Sequence, residues 1–124
     1  MRYIKTYEAS KERDITKPRV GDYVLINIKY NGDDEDMISY STFINNNIGR
    51  IFRINKGQFI NEVTEVCVEY NNITPDNSEW FNYMQDKQYD KTKGWRQFSI
   101  SRIKELASTK KELELKIQTD KYNL

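Results

Sequence analysis

Histidine is missing from the 124-residue chain, and cysteine occurs once, at Cys67. Without histidine the chain cannot form a Ser-His-Asp triad, a Cys-His nucleophile pair or a histidine-containing zinc site. A single cysteine excludes an internal disulfide and a CxxC motif. Glycine-rich phosphate-binding loops are missing too. Catalysis by carboxylate, lysine or tyrosine side chains is not excluded, but no spacing in the sequence identifies a catalytic pair among them. We therefore expect a protein that is not an enzyme and that holds no cofactor and no metal ion.

Long apolar runs and an excess of one charge are also missing. The longest apolar run covers residues 23–26, whereas a helix that crosses a bilayer needs roughly 20 apolar residues. No apolar signal-peptide segment stands near the first residue. We expect a protein that is neither secreted nor bound to a membrane. The chain has 20 basic and 19 acidic residues, and its net charge of +1 is too small to attract nucleic acid by itself. Any nucleic-acid-binding site must therefore be a local cluster of basic residues.

The length and the patterning predict one domain with two appendages. Residues 1–17 mix charges with isolated apolar residues and predict an N-terminal arm. Residues 18–107 carry the strand patterns, and four adjacent acidic residues at 33–36 predict a solvated loop. Residues 108–124 predict a C-terminal helix over about 110–121, because Thr109 and Glu112 have the spacing of a capping box.

The middle of the chain predicts an antiparallel sheet. Apolar residues alternate most clearly in the first segment, and turn residues separate it from the next ones. In the third segment Val66, Val68 and Tyr70 share one face, and Cys67 lies on the other. The predicted strands are 23–30, 48–54, 59–70, 95–98 and 103–106, with a tight reversal at 55–58 and a turn at 99–102.

A long connection at 71–94 is rich in bulky side chains. Asp76 and Glu79 have capping-box spacing, which predicts about two helical turns near 77–85. Aromatic residues and methionine are enriched at protein interfaces, so the connection is a candidate protein-binding loop. The alternative is that it folds down and caps an open end of the domain. The candidate binding residues are Trp80, Phe81, Tyr83, Met84 and Tyr89.

The order of the short motifs resembles small SH3-like barrels, particularly those of the KOW type. The motifs are VGDYV at 20–24, NIGRI at 47–51, VCVEY at 66–70 and FS at 98–99, followed by Ile103. The resemblance covers roughly residues 18–107. It implies a mainly β, five-stranded barrel in which one helical turn precedes the last short strand. Together with the patterns above, we expect this barrel to carry a short helix in the long loop and a C-terminal helix.

The first residues, MRYIKTYE at 1–8, are similar to the openings of small uncharacterised proteins of large tailed phages. Some of those proteins carry a similar barrel and a similar C-terminal helix. Related openings in some phages are capsid-targeting peptides, but a clean cleavage signature is missing from the first ten positions. The resemblance implies a phage-encoded protein in the host cytoplasm or in the virion.

Basic and aromatic residues are interleaved on neighbouring predicted strands. Small barrels bind single-stranded nucleic acid by stacking bases on aromatic residues in a basic groove. The alternative is that Phe52 and Phe98 fill the core while the charged residues are solvated. The candidate nucleic-acid-binding residues are Arg50, Arg53, Lys93, Trp95 and Arg96.

The sequence therefore favours a non-catalytic interaction module that binds another protein or belongs to a larger assembly such as a virion. A KOW-like nucleic-acid-binding protein is the second hypothesis. The identity of the partner and the oligomeric state do not follow from the sequence.

Overall fold

A computed structural model of the chain describes residues 14–58, 62–71, 85–87 and 90–122, with side chains described for 14–58, 62–71 and 94–120. Six strands and two helices lie in these ranges, and one turn of 3-10 helix precedes the last strand. In chain order the elements are β1 (Tyr23–Ile26), α1 (Glu35–Asn46), β2 (Gly49–Lys56), β3 (Val63–Tyr70), β4 (Gln85–Lys87), β5 (Asp90–Ser99), the 3-10 turn (Ile100–Arg102), β6 (Ile103–Ala107) and α2 (Lys110–Tyr122).

The strands form one antiparallel sheet in the order β4-β5-β3-β2-β1-β6. Five longer strands make up the body of the sheet, and the three-residue β4 extends one edge. The predicted antiparallel sheet and C-terminal helix are confirmed. The described strands form an open sheet with β4 and β6 at its two edges, so closure into a barrel is not part of the observed pairing.

One face of the sheet is apolar and carries the core. Val66, Val68 and Tyr70 of the central strand β3 are buried on this face, as their alternation predicts. The first helix, α1, covers the same face with Tyr40, Phe43 and further apolar residues. The buried cluster consists of Val24, Ile26, Tyr40, Phe43, Ile44, Ile51, Val66, Val68, Tyr70, Phe98, Ile103 and Leu106.

The helix α1 corrects the prediction of a loop in this region. Asp34 is its N-cap, since its Oδ1 accepts hydrogen bonds from the backbone N–H groups of Asp36 (3.0 Å) and Met37 (3.4 Å). The acidic residues of the first turn suit the positive end of the helix, which is why the acidic run begins a helix. Met37, Tyr40 and Ile44 then follow at the spacing of one helix face.

Several predicted boundaries also change. β1 ends at Ile26, and two residues later the side chain of Asn45 in α1 pairs with the backbone of Ile28: its Oδ1 accepts from Ile28 N (2.6 Å) and its Nδ2 donates to Ile28 O (2.8 Å). β2 continues to Lys56, into the predicted reversal. β5 begins at Asp90 rather than at 95, so the segment 71–94 contains β4 and the start of β5.

The predicted helix at 77–85 lies outside the described residues except for Gln85, which is in β4. Residues 1–13 of the predicted arm are also outside them, and residues 15–17 form a turn and a bend.

The C-terminal helix α2 begins after Thr109, whose Oγ1 accepts from Glu112 N at 3.2 Å, as the capping box predicts. It packs on β6 and β1, on the face of the sheet opposite α1. Leu113 is fully buried there, and Lys116 Nζ lies 3.7 Å from Glu105 Oε2 and donates to Leu106 O at 3.4 Å. Neither of the helices that the structure describes has the length and apolar character to cross a membrane.

Gly49 provides a first test of the packing. A β-carbon at this position would collide with Cγ1 of Val68 and would lie 2.9 Å from Cε1 of Tyr70 and 3.0 Å from the carbonyl oxygen of Glu69. We expect Gly49→Ala to lower the free energy of unfolding in urea by about 1–3 kcal/mol, the usual cost of overpacking. Val68→Ala removes the methyl groups that the new β-carbon would meet. The loss of unfolding free energy in the double variant should therefore be smaller than the sum of the losses in the two single variants. Additive effects would contradict this interpretation.

Glu105 provides a test of α2 docking. Burial raises the pKa of Glu105 above its ordinary 4.5, a hydrogen bond with Asp120 raises it further, and the Lys116 charge opposes both. The folded protein thus binds this proton more tightly than the unfolded chain. The resulting stabilisation is present below pH 4.5 and is lost as the pH rises through the raised pKa.

We therefore expect Glu105→Gln to gain stability relative to the native protein as the pH rises from about 4 to about 7, measured by urea unfolding. The exposed Glu62→Gln is the matched control for a lost carboxylate. A difference between Glu105→Gln and the native protein that does not change with pH would contradict the prediction.

Candidate functional site

The face of β2, β3 and β5 that points away from α1 is a candidate site, and we call it the open face. Alternation along the strands places its residues here, and the strand registers bring them side by side. The second helix packs on the same side of the sheet, mainly at β6 and β1. The open face consists of Arg50, Phe52, Arg53 and Asn55 of β2, Glu65, Cys67 and Glu69 of β3, and Trp95, Gln97 and Ser99 of β5.

An aromatic pair lies on the open face. The register of β2 against β3 shifts between Ile51 and Arg53, and Phe52 lies at this bulge. Its ring meets that of Trp95 edge to face, with the centroids 5.5 Å apart and the planes at 85°. Both side chains are half-buried, so each keeps apolar surface in contact with solvent. Phe98, by contrast, is in the core. The prediction that both phenylalanines fill the core is therefore right for Phe98 alone.

Two arginines flank the aromatic pair. Arg50 Nη1 lies 3.5 Å from Glu69 Oε1, and the arginine side chain is 48% exposed while that of the glutamate is only 11% exposed. The exposed Arg53 is the neighbour of Cys67 across the β2-β3 ladder. The cations thus stand out from the sheet while Glu69 is recessed. A ligand that approaches this face meets guanidinium groups and aromatic edges first.

Cys67 lies at the centre of the open face and is fully covered. Its Sγ is 3.8 Å from Oε1 of Gln97. Burial raises the pKa of the Cys67 thiol, the Arg53 charge lowers it, and the Glu65 charge raises it. The thiol is therefore protonated at neutral pH and is not poised as a nucleophile.

A cleft of about 500 Å³ adjoins the open face, and Arg50 and Glu69 belong to both. Its other walls come from the start of β1, from the link between α1 and β2, and from α2. Sequence patterns do not point to these residues, because they do not predict helix α1 and because the docking position of α2 does not follow from its sequence. In the part of the chain that is described, no three acidic or cysteine side chains lie together as a metal site would need.

The predicted nucleic-acid-binding set is divided by the sheet. Arg50, Arg53 and Trp95 come together on the open face. Arg96 pairs with Val68 and lies on the α1 side, where its guanidinium carbon is 5.9 Å from the ring centroid of Tyr40. Arg96 therefore lies apart from Arg50, Arg53 and Trp95, because neighbouring residues of a strand point to opposite faces, and the role of the set stays a prediction. Lys93 is in β5, and its side chain is outside the described part.

The predicted protein-binding residues of the long connection lie outside the described residues, and their role stays a prediction. They are Trp80, Phe81, Tyr83, Met84 and Tyr89.

Comparisons with protein-family models, with curated proteins and with solved structures found no match to this chain.

The environment of Cys67 predicts slow labelling by a thiol reagent such as Ellman's reagent. Because the thiol is covered and its pKa is raised, we expect the native protein to react at a rate that follows its unfolding in urea. Gln97→Ala removes the neighbouring side chain, so this variant should react faster without a matching loss of stability. Rapid labelling of the unmodified protein in the absence of urea would contradict the structural assignment.

Proposed function

We propose that the protein is a non-catalytic interaction module that binds another protein through its open face. The observation that carries this proposal is the half-buried Phe52–Trp95 pair between Arg50 and Arg53. Tryptophan and arginine are the residue types that most often dominate the binding energy of protein interfaces. The two rings already pack against each other in the folded protein, so binding a partner would cost little side-chain entropy at Phe52 and Trp95.

The charges of the open face support a protein partner over a nucleic acid. Glu65 and Glu69 stand between the arginines and the β5 strand, and Glu69 is paired with Arg50. A phosphate backbone needs several unopposed cations, and its affinity depends on how many phosphates they neutralise. Interleaved charges of both signs instead suit a polypeptide, whose own charges fix register and specificity.

A closed SH3-like barrel is the finer form of the fold that we propose. Two features support it: β6, β1, β2, β3 and β5 follow one another across the sheet, and a single 3-10 turn precedes the last short strand. The resemblance of residues 1–8 to the openings of tailed-phage proteins supports an assembly in the host cytoplasm or the virion as the setting. The bulky residues of the 71–94 connection would add to the same interaction.

A KOW-like nucleic-acid-binding module is the second candidate. The observation that favours it is that Arg50, Arg53 and Trp95, three residues of the predicted set, share the open face. An aromatic ring between guanidinium groups is a platform on which a single-stranded base can stack, and each stack contributes about 1–3 kcal/mol.

The test compares matched variants of the two faces. The protein is used as bait in an extract of its source cells, captured proteins are identified by mass spectrometry, and the affinity of each purified candidate is measured by calorimetry. We expect Trp95→Ala and Arg53→Ala to weaken binding by at least about tenfold, as truncated interface anchors do. Arg96→Ala is the control, since this exposed arginine lies on the α1 side.

Fluorescence anisotropy with single-stranded DNA, duplex DNA and RNA at several salt concentrations completes the test. Binding that weakens with salt and fails in Arg53→Ala would favour the nucleic-acid function. A partner whose affinity is the same for all three variants would overturn the assignment of the open face.

A further inference from the structure

The cleft beside the open face has the size and construction of a binding site. Its volume of about 500 Å³ lies within the range of roughly 300–1,000 Å³ that is usual for ligand pockets. Tyr23, Ile48 and Ile117 give it an apolar lining from three different elements or links, and all three are half-buried. The sheet, the end of α1 and the helix α2 thus converge on one concave surface.

The charges around the cleft balance. Arg50 and Glu69 form the ion pair already described, with the two side chains 3.5 Å apart at their closest charged atoms. Lys110 and Glu114 are four residues apart on α2, so their charges are neighbours on one helix face. The lining therefore carries two cations and two anions. A phosphate or another anion would meet Glu69 and Glu114 as well as the basic side chains, so the lining does not favour a charged ligand.

Amide side chains supply hydrogen-bonding groups that bear no charge. Asn46 donates through Nδ2 to Thr42 O at 2.7 Å, which holds its amide in place at the end of α1 and presents Oδ1 as an acceptor. Asn47 is held in the same way, by a 2.8 Å bond from Nδ2 to Phe43 O. Asn71 is exposed directly after β3 and also lines the cleft. Such amides match the N–H and C=O groups of a peptide main chain.

We propose that this cleft binds an uncharged, extended segment of polypeptide, whose main-chain amides are recognised by Asn46 and Asn71. The apolar contact with Ile117 and Tyr23 would hold a small or apolar side chain of the same segment. This inference rests on the proposed function, because Arg50 and Glu69 connect the cleft with the open face. The aromatic pair would then anchor the partner, and the cleft would select the segment beside the anchor.

The test is a titration of the isotope-labelled full chain with N-acetyl-trialanine amide, followed in two-dimensional ¹H–¹⁵N NMR spectra. The side-chain amide signals of Asn46 and Asn71 report on the cleft, and the indole N–H signal of Trp95 reports on the open face. We expect saturable shifts of the two asparagine signals with a dissociation constant near 1 mM, as suits a small uncharged ligand. Glucose and inorganic phosphate are titrated in parallel.

Asn71→Asp keeps the size of the side chain but replaces the amide donor by a carboxylate. It should weaken tripeptide binding about fivefold, the effect of losing one neutral hydrogen bond. Asn27→Asp is the matched control, because Asn27 is exposed and belongs neither to the residues that line the cleft nor to the open face. Thermal unfolding checks that both variants fold.

Three results would overturn the inference. The first is an absence of saturable shifts up to roughly 10 mM tripeptide, a concentration well above the expected dissociation constant. The second is equal or stronger binding of glucose or phosphate, which would make the cleft a site for another class of ligand. The third is a shift of the Trp95 indole signal without the asparagine signals, which would leave the proposed function intact and remove the cleft from it.

Discussion

The packing of α1 on the apolar face of the sheet is the contact on which the rest of the structure depends. Apolar residues make up only 37% of the chain, so a single core must be filled with few side chains. Tyr40, Phe43 and Ile44 belong to one buried cluster with the apolar residues of the sheet, and the rings of Phe43 and Tyr70 pack edge to face with centroids 5.5 Å apart. Apolar burial contributes roughly 25 cal/mol per Å², so without α1 this face would lose most of its stabilisation.

Because one face of the sheet carries the core, the residues available for binding lie on the other face. Helix α2 covers the opposite side mainly over β6 and β1, where Leu113 is buried and Lys116 lies close to Glu105. The strands β2, β3 and β5 are left with polar and aromatic side chains above a covered cysteine. The open face and the cleft beside it are therefore consequences of where the two helices dock.

The charge pattern of the open face is the reason that we propose a protein partner rather than a nucleic acid. An arginine that is half exposed above a nearly covered glutamate presents its guanidinium to a ligand while the pair stays close to neutral. Such an arrangement gives directional hydrogen bonds without the strong field that attracts nucleic acid. The charges of the adjoining cleft balance as well, and uncharged amide side chains form part of its lining.

The sequence by itself determined the local features that depend on neighbouring residues. Alternation identified β3 and its two faces, and the capping box at Thr109 identified the start of α2. The sequence did not predict helix α1, because its short apolar pattern lies between four acidic residues and three asparagines. A helix this short is stabilised mainly by its packing on the sheet, which the local pattern does not show. The sequence pattern also grouped Arg96 with Trp95, although a strand sends adjacent side chains to opposite faces. Only the tertiary structure decided which strands neighbour each other and where α2 docks. These two features bring Phe52 to Trp95 and place Asn46 and Asn71 around one cleft. Contacts between residues so far apart in sequence depend on strand order and helix placement, which local patterns do not encode.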